Sequence, residues 1–546
     1  MWDSFGDGDF DIVDGVELQN RIAFSSTLPR RDSFPLVAPW LFSNSPKIMF
    51  LTGLRRTGKT TIMEQTIAEM NCDMFEKTVF FQAHDDRSYD MLDIIGVMRD
   101  LYGKGKRFFF LDEVTFADNF PAGCMRLSDG LAKNGCRVCV TGTHSLAIWL
   151  AKTNYMQGRY EEIKTTSIPF AEWNRLLFHG RIQDIDKYLL QGGILDLPGI
   201  ATKTALAARM SDDDLSTHAG AMLYTHRAVA LNIQNSILKH KDGEFLGDLR
   251  PLCEEGLLTD AVARVVQNQG HQSTLSVLNK LFVSDDMRMF QAGVANESFA
   301  TMLNRSWKEI GKRMADALGI INGRRAMRKE EAKAIADWLY DIDFLVDAPT
   351  TVMSMDGTER KEPRTILAQP ALRTEQMLST SGLFLEFLDE AGIRYDARRT
   401  EDLIRSAVLG RMQEDVVLYE LKSMFADAKI FELKILDGGT QLAEYDVAVR
   451  TMDGVALIEI KHDNEYKSNY SKYLRNDDAL RLIEDKYGSI LSKTVLYRGE
   501  SASIGDVEWT NIGDFLADRE GIAKRLKIDT TQPRESFACV QSLCAH

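Results

Sequence analysis

Apolar positions change their period twice along this chain. Between 46 and about 170, strand-length apolar runs at 48–51, 79–81, 108–111 and 138–140 alternate with helical patterns, one starting at Lys59 and one over 89–101. Such alternation predicts a parallel sheet wrapped by helices, an α/β arrangement. From about 175 to 365 the strand signals fade. Apolar residues there recur at helical spacing, as Trp307, Ile310, Met314 and Leu318, then as Ile335, Trp338, Leu339 and Ile342. After 405 the pattern changes again. A helix following Gly410 aligns Glu414 with Val417, Leu418 and Leu421, and strand patterns at 442–450 and 455–462 flank a turn at Asp453-Gly454.

Composition narrows the picture modestly. A chain of 546 residues exceeds one core, so three or more domains are expected. The net charge of -14 argues against a generic basic coat for nucleic acid, while leaving a local basic groove open. Asp3, Asp7, Asp9, Asp11 and Asp14 have spacing like a calcium loop but lack its Gly and distal Glu, so 1–45 reads as a solvated or partner-contacting acidic arm. Cys136 and Cys139 fall in one predicted strand with side chains on opposite faces, which favours buried thiols over a metal pair. Arg324, Arg325, Arg328 and Lys329 form a basic cluster, read as solvated surface before phosphate contact. With no run of 18 apolar residues and no signal-type start, no membrane segment is expected and the location is expected to be cytoplasmic.

The sharpest chemistry sits between the first apolar run and the first helix. Gly53-Leu54-Arg55-Arg56-Thr57-Gly58-Lys59-Thr60 fits a phosphate-binding loop, with Thr61 next in the helix. The glycines let backbone N–H groups close around phosphate oxygens at a helix N-terminus. Lys59 can reach the β- and γ-phosphates of ATP, and Thr60 can hold Mg²⁺. The apolar run at 108–111 ends in Asp112 and Glu113. The first acid helps hold Mg²⁺ and the second polarises the attacking water. Thr141 or Thr143, ending the next strand, is placed to sense the γ-phosphate.

A second site is expected near the C-terminus. Strand alternation puts Val455, Leu457, Glu459 and Lys461 on one face, with Asp446 on the preceding strand. Asp446 followed by Glu459-Ile460-Lys461 is the PD-(D/E)xK nuclease pattern. Asp446, Glu459 and the Ile460 carbonyl would hold Mg²⁺, or Mn²⁺, and Lys461 would orient water or stabilise growing charge. Glu414, a carboxylate on an apolar stripe, needs a buried partner and is a further candidate ligand. Surface acids and a lone Lys on an ordinary sheet are the competing reading.

The whole set resembles a prokaryotic, archaeal-type AAA+ P-loop ATPase family that carries a C-terminal restriction-endonuclease-like domain. Beyond the two sites, Gly158-Arg159, Pro169-Phe170-Ala171-Glu172-Trp173, Tyr188 through Gly193, Gln369 through Arg373 and Glu444-Tyr445-Asp446 carry the resemblance. Residues 195–300 and 374–405 depart from it, and the tail after 465 matches nothing in it. The resulting organisation is an acidic arm over 1–45, an AAA+-like core over 46–175, a helical lid over 176–295, a winged-helix-like module over 296–365 and a nuclease-like α/β domain over 366–546. The resemblance makes Arg159 a γ-phosphate sensor or an arginine finger acting from a second copy, with a structural ion pair as the alternative. It implies an ATP-regulated nuclease acting on nucleic acid, DNA before RNA, as a homo-oligomer, in defence or mobile-element biology. A catalytically silent nuclease-like domain that binds nucleic acid or a protein partner is the alternative, and a helicase is a weaker one.

Overall fold

The computed structural model describes residues 11–53, 57–83, 89–142, 151–193, 327–341, 343–390, 395–425 and 427–528, with Ile148 and scattered helical positions between 252 and 281. Two compact units emerge. One comprises Met1–Ile168, Arg227–Ala263 and Met327–Ile342, and the other Pro169–His226, Arg264–Ala326 and Asp343–His546.

The first unit holds a six-stranded sheet of β1 (Asp11–Val13), β2 (Ile48–Gly53), β3 (Thr78–Gln82), β4 (Phe108–Asp112), β5 (Arg137–Gly142) and β6 (Tyr160–Thr165). Their order is β1-β3-β4-β5-β2-β6, and every neighbouring pair is parallel except β1 with β3. Alternation along the strands separates two cores. Ile48, Phe50, Val79, Phe81, Phe109, Leu111, Val138 and Val140 pack on one side, and Met49, Leu51, Phe80, Phe110, Cys139 and Ile163 on the other. Burial on both faces explains why these strands read as unbroken apolar runs. Cys136 and Cys139 fall in opposite cores, as expected. The helices are α1 (Gly15–Ser25), α2 (Val37–Phe42), α3 (Lys59–Ala68), α4 (Cys72–Glu76), α5 (Met91–Gly103) and α6 (Phe120–Gly130), with a further helix at Lys329–Asp341. Chain connections leave β2 toward β3 on one side and return past it to β6 on the other. Such a reversal opens a crevice at the strands' carboxyl ends, where ligands bind in open α/β sheets.

Three boundaries differ from the sequence expectation. The acidic arm is folded from Asp11 onward: β1 extends the sheet, and Val13, Leu18, Ile22, Trp40 and Leu41 join the core that holds Ile62 and Met63 of α3. Burial of such large side chains is worth about 1.5–3 kcal/mol each, which outweighs the acidic residues that dominate the segment's appearance. The first stretch of the first unit ends at Ile168 rather than at 175, and Arg227–Ala263 and Met327–Ile342 rejoin that unit later in the chain. In the module expected over 296–365, β8 (Thr350–Ser354) and β9 (Glu359–Glu362) instead complete the sheet of the second unit. Residues before 327 in that module, including Trp307, Ile310, Met314, Leu318, Arg324 and Arg325, and most of the lid, lie outside the described residues. Arg328 is tied to its own helix, pairing with the buried Glu331.

The second unit contains α7 (Phe170–Phe178), α8 (Ile185–Gln191), a small sheet of β7 (Leu345–Asp347) and β10 (Thr365–Leu367), and an eight-stranded sheet. That sheet comprises β8 (Thr350–Ser354), β9 (Glu359–Glu362), β11 (Lys429–Asp437), β12 (Thr440–Arg450), β13 (Val455–Ile460), β14 (Ile490–Tyr497), β15 (Ala502–Ile504) and β16 (Val507–Asn511), in the order β15-β16-β14-β13-β12-β11-β8-β9. The helices are α9 (Pro370–Glu390), α10 (Ala397–Met424), α11 (Asp477–Tyr487), α12 (Ile512–Ala517) and α13 (Arg519–Arg525). The α11 residues Ala479, Leu480 and Ile483 pack with Leu433, Tyr445 and Leu457 of the sheet. Pairing of β11 with β12 slips between Phe431 and Leu433, leaving Asp446 and Val447 opposite Glu432 alone. A bulge of this kind re-aims a side chain, and here it lies at the candidate acid Asp446.

Candidate functional site

At the carboxyl end of β2 the chain turns sharply into α3. Gly53 has φ 147°, and a Cβ there would lie 2.1 Å from the Thr165 hydroxyl oxygen; Gly58 has φ 88°. Only glycine accepts both demands without strain. Leu54, Arg55 and Arg56 lie outside the described residues. Thr57 is buried and its hydroxyl meets that of Thr165 at 2.6 Å, while Thr165 also donates to the Thr52 carbonyl at 2.9 Å. Lys59 Nζ donates to the Gly53 carbonyl at 3.1 Å, which holds the ammonium over the loop. Thr61 follows in the first turn of α3.

The acids of β4 close the site. Asp112 is 1% exposed and accepts from Thr60 Oγ1 at 2.8 Å and from Thr141 Oγ1 on β5. Burial first, then the Glu113 charge, raises the Asp112 carboxyl above its ordinary range against those hydroxyl donors and Lys59. Thr60 and Asp112, the residues that would hold Mg²⁺, thus touch directly, which suits a shared cation. Glu113 adopts a left-handed conformation with φ 55°, and its N–H donates to Thr141 Oγ1 at 3.3 Å. Such a backbone costs about 1–3 kcal/mol in a non-glycine residue and is found where function over-determines it. Thr141 Oγ1 thus joins the Asp112 carboxyl to the Glu113 backbone; Thr143 lies outside the described residues.

Sequence reasoning missed two supports of this loop. Arg31, in the segment read as an arm, is buried and donates to the Thr57 and Thr166 carbonyls. Arg21 and Ser25 of α1 bond Glu64 of α3, and Gln65 Nε2 bonds the Ser25 and Leu28 carbonyls. No local pattern signals these partners, because each joins residues far apart in the chain.

Arg159 stands elsewhere. It precedes β6, whose Tyr160 pairs with Ile48 at the start of β2, while Thr165 pairs with Gly53. Six residue steps at about 3.3 Å each, from Arg159 to Thr165, put Arg159 about 20 Å from the loop, beyond the reach of its own side chain. It pairs instead with Asp129 at 3.2 Å. The reading of Arg159 as a sensor of the chain's own nucleotide is corrected accordingly.

In the second unit, Asp446, Glu459 and Lys461 come together. Lys461 Nζ lies 2.7 Å from Glu459 Oε2 and 3.4 Å from Asp446 Oδ2, and the Ile460 N–H donates to Asp446 Oδ2 at 2.7 Å. The Asp446 side chain thereby takes a strand N–H where regular pairing of β12 with β13 stops, at Val447 and Ile458. Glu459 is 2% exposed, and its Oε1 is buried without a hydrogen-bond partner. Burial and the Asp446 charge push the Glu459 carboxyl up to about 8, against Lys461. Burial works to lower the Lys461 ammonium, but Asp446 and Glu459 outweigh it and hold it well above its ordinary value.

Glu414 stands beside this cluster rather than within it, because Arg411 on its own helix takes its Oε2 at 2.9 Å. Burial and Asp446 push the Glu414 carboxyl up to about 7, and Arg411 opposes them. Among the described residues no group of three or more His, Cys, Asp or Glu side chains is gathered closely enough to hold a metal ion. Of the donors the sequence nominated, Asp446 and Glu459 meet on Lys461, and Glu459 Oε1 is buried without a hydrogen-bond partner. His462, which the sequence reading left aside, lies 3.0 Å from Asp186 of α8 and 3.1 Å from Ser406 of α10, with Arg498 joining Asp184 and Asp186.

Among the described residues no helix is long and apolar enough to cross a membrane. No curated protein matches the chain. Two solved structures of S. cerevisiae Hsp104 align with it at 12% identity each. The ADP complex aligns over 75% of this chain and 50% of its own, at a TM-score of 0.22. The casein complex in its extended conformation aligns over 63% of this chain and 59% of its own, at 0.23. This chain thus spans between half and three-fifths of those chains. A family model described as an AAA domain matches residues 45–174, the stretch that contains the phosphate loop, Asp112, Glu113 and Thr141. Residues 45–174 are therefore similar to an AAA-type ATPase domain, which supports ATP binding and hydrolysis in that part of the chain.

Proposed function

We propose that the protein is an ATP-regulated, metal-dependent nuclease that cuts DNA phosphodiester bonds. The buried, unpartnered Glu459 Oε1 beside Asp446 and Lys461 carries this reading. A buried oxygen without a donor costs about 1–3 kcal/mol, and a divalent cation is a partner suited to it. Mg²⁺ or Mn²⁺ held by Asp446, Glu459 and the Ile460 carbonyl would supply Lewis-acid polarisation of the scissile phosphate and a water of lowered pKa. Lys461 then offers its ammonium to the charge that grows on the phosphate oxygens. Glu414 sets the field around Asp446 from α10.

Regulation has a short covalent path. Thr165 touches Thr57 of the phosphate loop, residues 166–169 follow, and the Phe170 N–H donates at 2.7 Å to Glu420 on α10, the helix that carries Glu414. A γ-phosphate-dependent rearrangement of the loop biases that helix and gates cutting. Arg159, out of reach of its own nucleotide, serves a neighbouring copy in a homo-oligomer. Cytoplasmic DNA, in defence or mobile-element biology, is the setting this activity suits.

The test is cleavage of plasmid, linear duplex and single-stranded DNA with Mg²⁺ or Mn²⁺, with and without ATP, by the wild type, Lys461→Ala and Lys59→Ala. The expected result is loss of cleavage by about 10²–10³-fold in Lys461→Ala with ATP hydrolysis intact, and altered cleavage in Lys59→Ala. Cleavage that survives in Lys461→Ala overturns the assignment.

One observation favours a second reading. Lys461 bridges both acids and offsets one of their two charges without any metal, as suits a site that only binds nucleic acid or a protein partner. In that case Glu414, Asp446 and Glu459 tolerate Ala with no loss of biological activity.

A further inference from the structure

The segment that leaves β13 after Lys461 has its own character. Over 461–475 it carries Lys461, Lys467, Lys472 and Arg475 against Asp463 and Glu465, a local basic excess in a chain of net charge -14. It also carries Tyr466, Tyr470 and Tyr473, three of the chain's 15 tyrosines. Short 3₁₀ turns at Ser468–Ser471 and Tyr473–Arg475 carry Tyr470 and Tyr473, which pack partly against the sheet's core and keep part of their surface open. Lys467 Nζ sits 5.6 Å from the centre of the Tyr470 ring, and Lys472 Nζ 4.4 Å from that of Tyr473. Both lysines are exposed, while Tyr470 and Tyr473 are half-buried.

The segment is firmly held. Tyr466 packs on Trp509 with ring centres 4.5 Å apart, Tyr445 Oη donates to the Tyr473 carbonyl at 2.9 Å, and Tyr470 bonds Asp463. Its position matters as much. Val447 pairs with Ile458, so the end of β13 lies level with Glu444, Tyr445 and Asp446. Gln441 links Tyr473 Oη at 3.3 Å to Glu444 at 3.0 Å, on the strand that carries Asp446. Candidate cluster and aromatic segment therefore share one end of the sheet.

We propose that residues 466–475 form a stacking platform for single-stranded DNA that feeds the Asp446–Glu459–Lys461 cluster. This rests on the nuclease reading of that cluster. Lys472 over Tyr473 is an exchangeable lid whose ammonium swings to a backbone phosphate while an unpaired base takes the ring face, and Lys467 does the same by leaving Asp463, with which it pairs at 2.5 Å. A duplex offers no free base face to such rings, which is why the platform selects single strands. Arg475 extends the phosphate track.

Binding of a labelled oligo-dT of about 20 nucleotides, longer than one such platform needs, tests this by fluorescence anisotropy in EDTA, where no cutting occurs. Tyr470→Ala/Tyr473→Ala should weaken binding about tenfold or more, since each stacked base is worth about a factor of 5 or more. Lys467→Gln/Lys472→Gln changes only exposed side chains and should lower the slope of log affinity against log salt by about 0.7 per lysine. Wild-type affinity should be higher for oligo-dT than for a duplex or for oligo-rU. Unchanged affinity in the tyrosine variant, an unchanged slope in the lysine variant, or equal binding of duplex or RNA overturns the platform. A wild type that binds through these residues yet never cuts overturns the nuclease reading alone. Cutting with binding indifferent to both variants overturns the platform alone.

Discussion

At the end of β4, Asp112 keeps both carboxylate oxygens on hydroxyls, those of Thr60 and Thr141. At the end of β13, Glu459 keeps one oxygen on the Lys461 ammonium, and the other is buried with no donor. Both acids are almost fully buried, so burial raises both carboxyls. The difference lies in what surrounds them. Neutral hydroxyls position the Asp112 carboxyl without cancelling its charge, and Lys59 and the two hydroxyls work against the burial that raises it. One ammonium shared by two carboxyls offsets a single charge, so Lys461 holds Asp446 and Glu459 together and leaves one Glu459 oxygen without a partner. Glu420 in the second unit likewise has Oε2 without a donor, whereas buried Glu432 is paired by Arg364, Lys434 and Thr350. Incomplete satisfaction of buried polar groups is a recurring property of functional sites.

The first half of the comparison breaks if Glu113 is not the group that polarises water. Glu113→Gln should lower ATP hydrolysis by about 10²–10⁴-fold with nucleotide binding retained, measured by phosphate release beside a binding titration. Hydrolysis within a few-fold of wild type would show that the base lies elsewhere.

A smaller effect sharpens the second half. Glu420 is fully buried, and burial pushes its carboxyl up to about 7 against the Phe170 N–H and Arg519. An acid with a raised folded pKa holds its proton to higher pH when folded than when unfolded. The resulting destabilisation is absent below about 4.5, grows through about 7 and is complete above it. Glu420→Gln should therefore stabilise the protein at pH 8 by about 2 kcal/mol and change little near pH 4.5. Thermal melts at both values check this; a lower melting temperature at pH 8 would sink the idea.

The smallest effect concerns the loop support. Thr165→Val keeps shape but removes the hydroxyl that meets Thr57 and the Thr52 carbonyl. A stability loss of about 1 kcal/mol is expected by denaturant titration, with a raised KM for ATP. No change in either would mean that Thr165 merely fills space.

Much of the first site was legible because its signals are local. A phosphate loop needs glycines where the chain turns, and its strands need apolar runs, so β2, β4, β5, Lys59 and Asp112 could be placed in advance. Two strands escaped. β1 has three residues, and β6, Tyr160–Thr165, buries only Ile163 and Thr165. An edge strand with polar outward positions shows little periodicity. In the second unit, the spacing of Glu459 and Lys461 showed that they share a face, and the strand and helix patterns made Asp446 and Glu414 candidates. That Arg411 takes Glu414, and that a bulge sits at Asp446, depended on partners no periodicity encodes.

The sequence by itself determined the α/β character of the first unit, the loop's residues and the acids at its strand end, and it nominated the second cluster. Tertiary structure decided where the units divide, that the N-terminal segment braces the loop through Arg31, that β8 and β9 belong to the later sheet, and that Lys461 bridges its two acids. The reason is physical. Local periodicity records which face of an element is buried. The partner found on that face is fixed by pairings across long stretches of chain, as between Thr57 and Thr165 or Thr350 and Glu432.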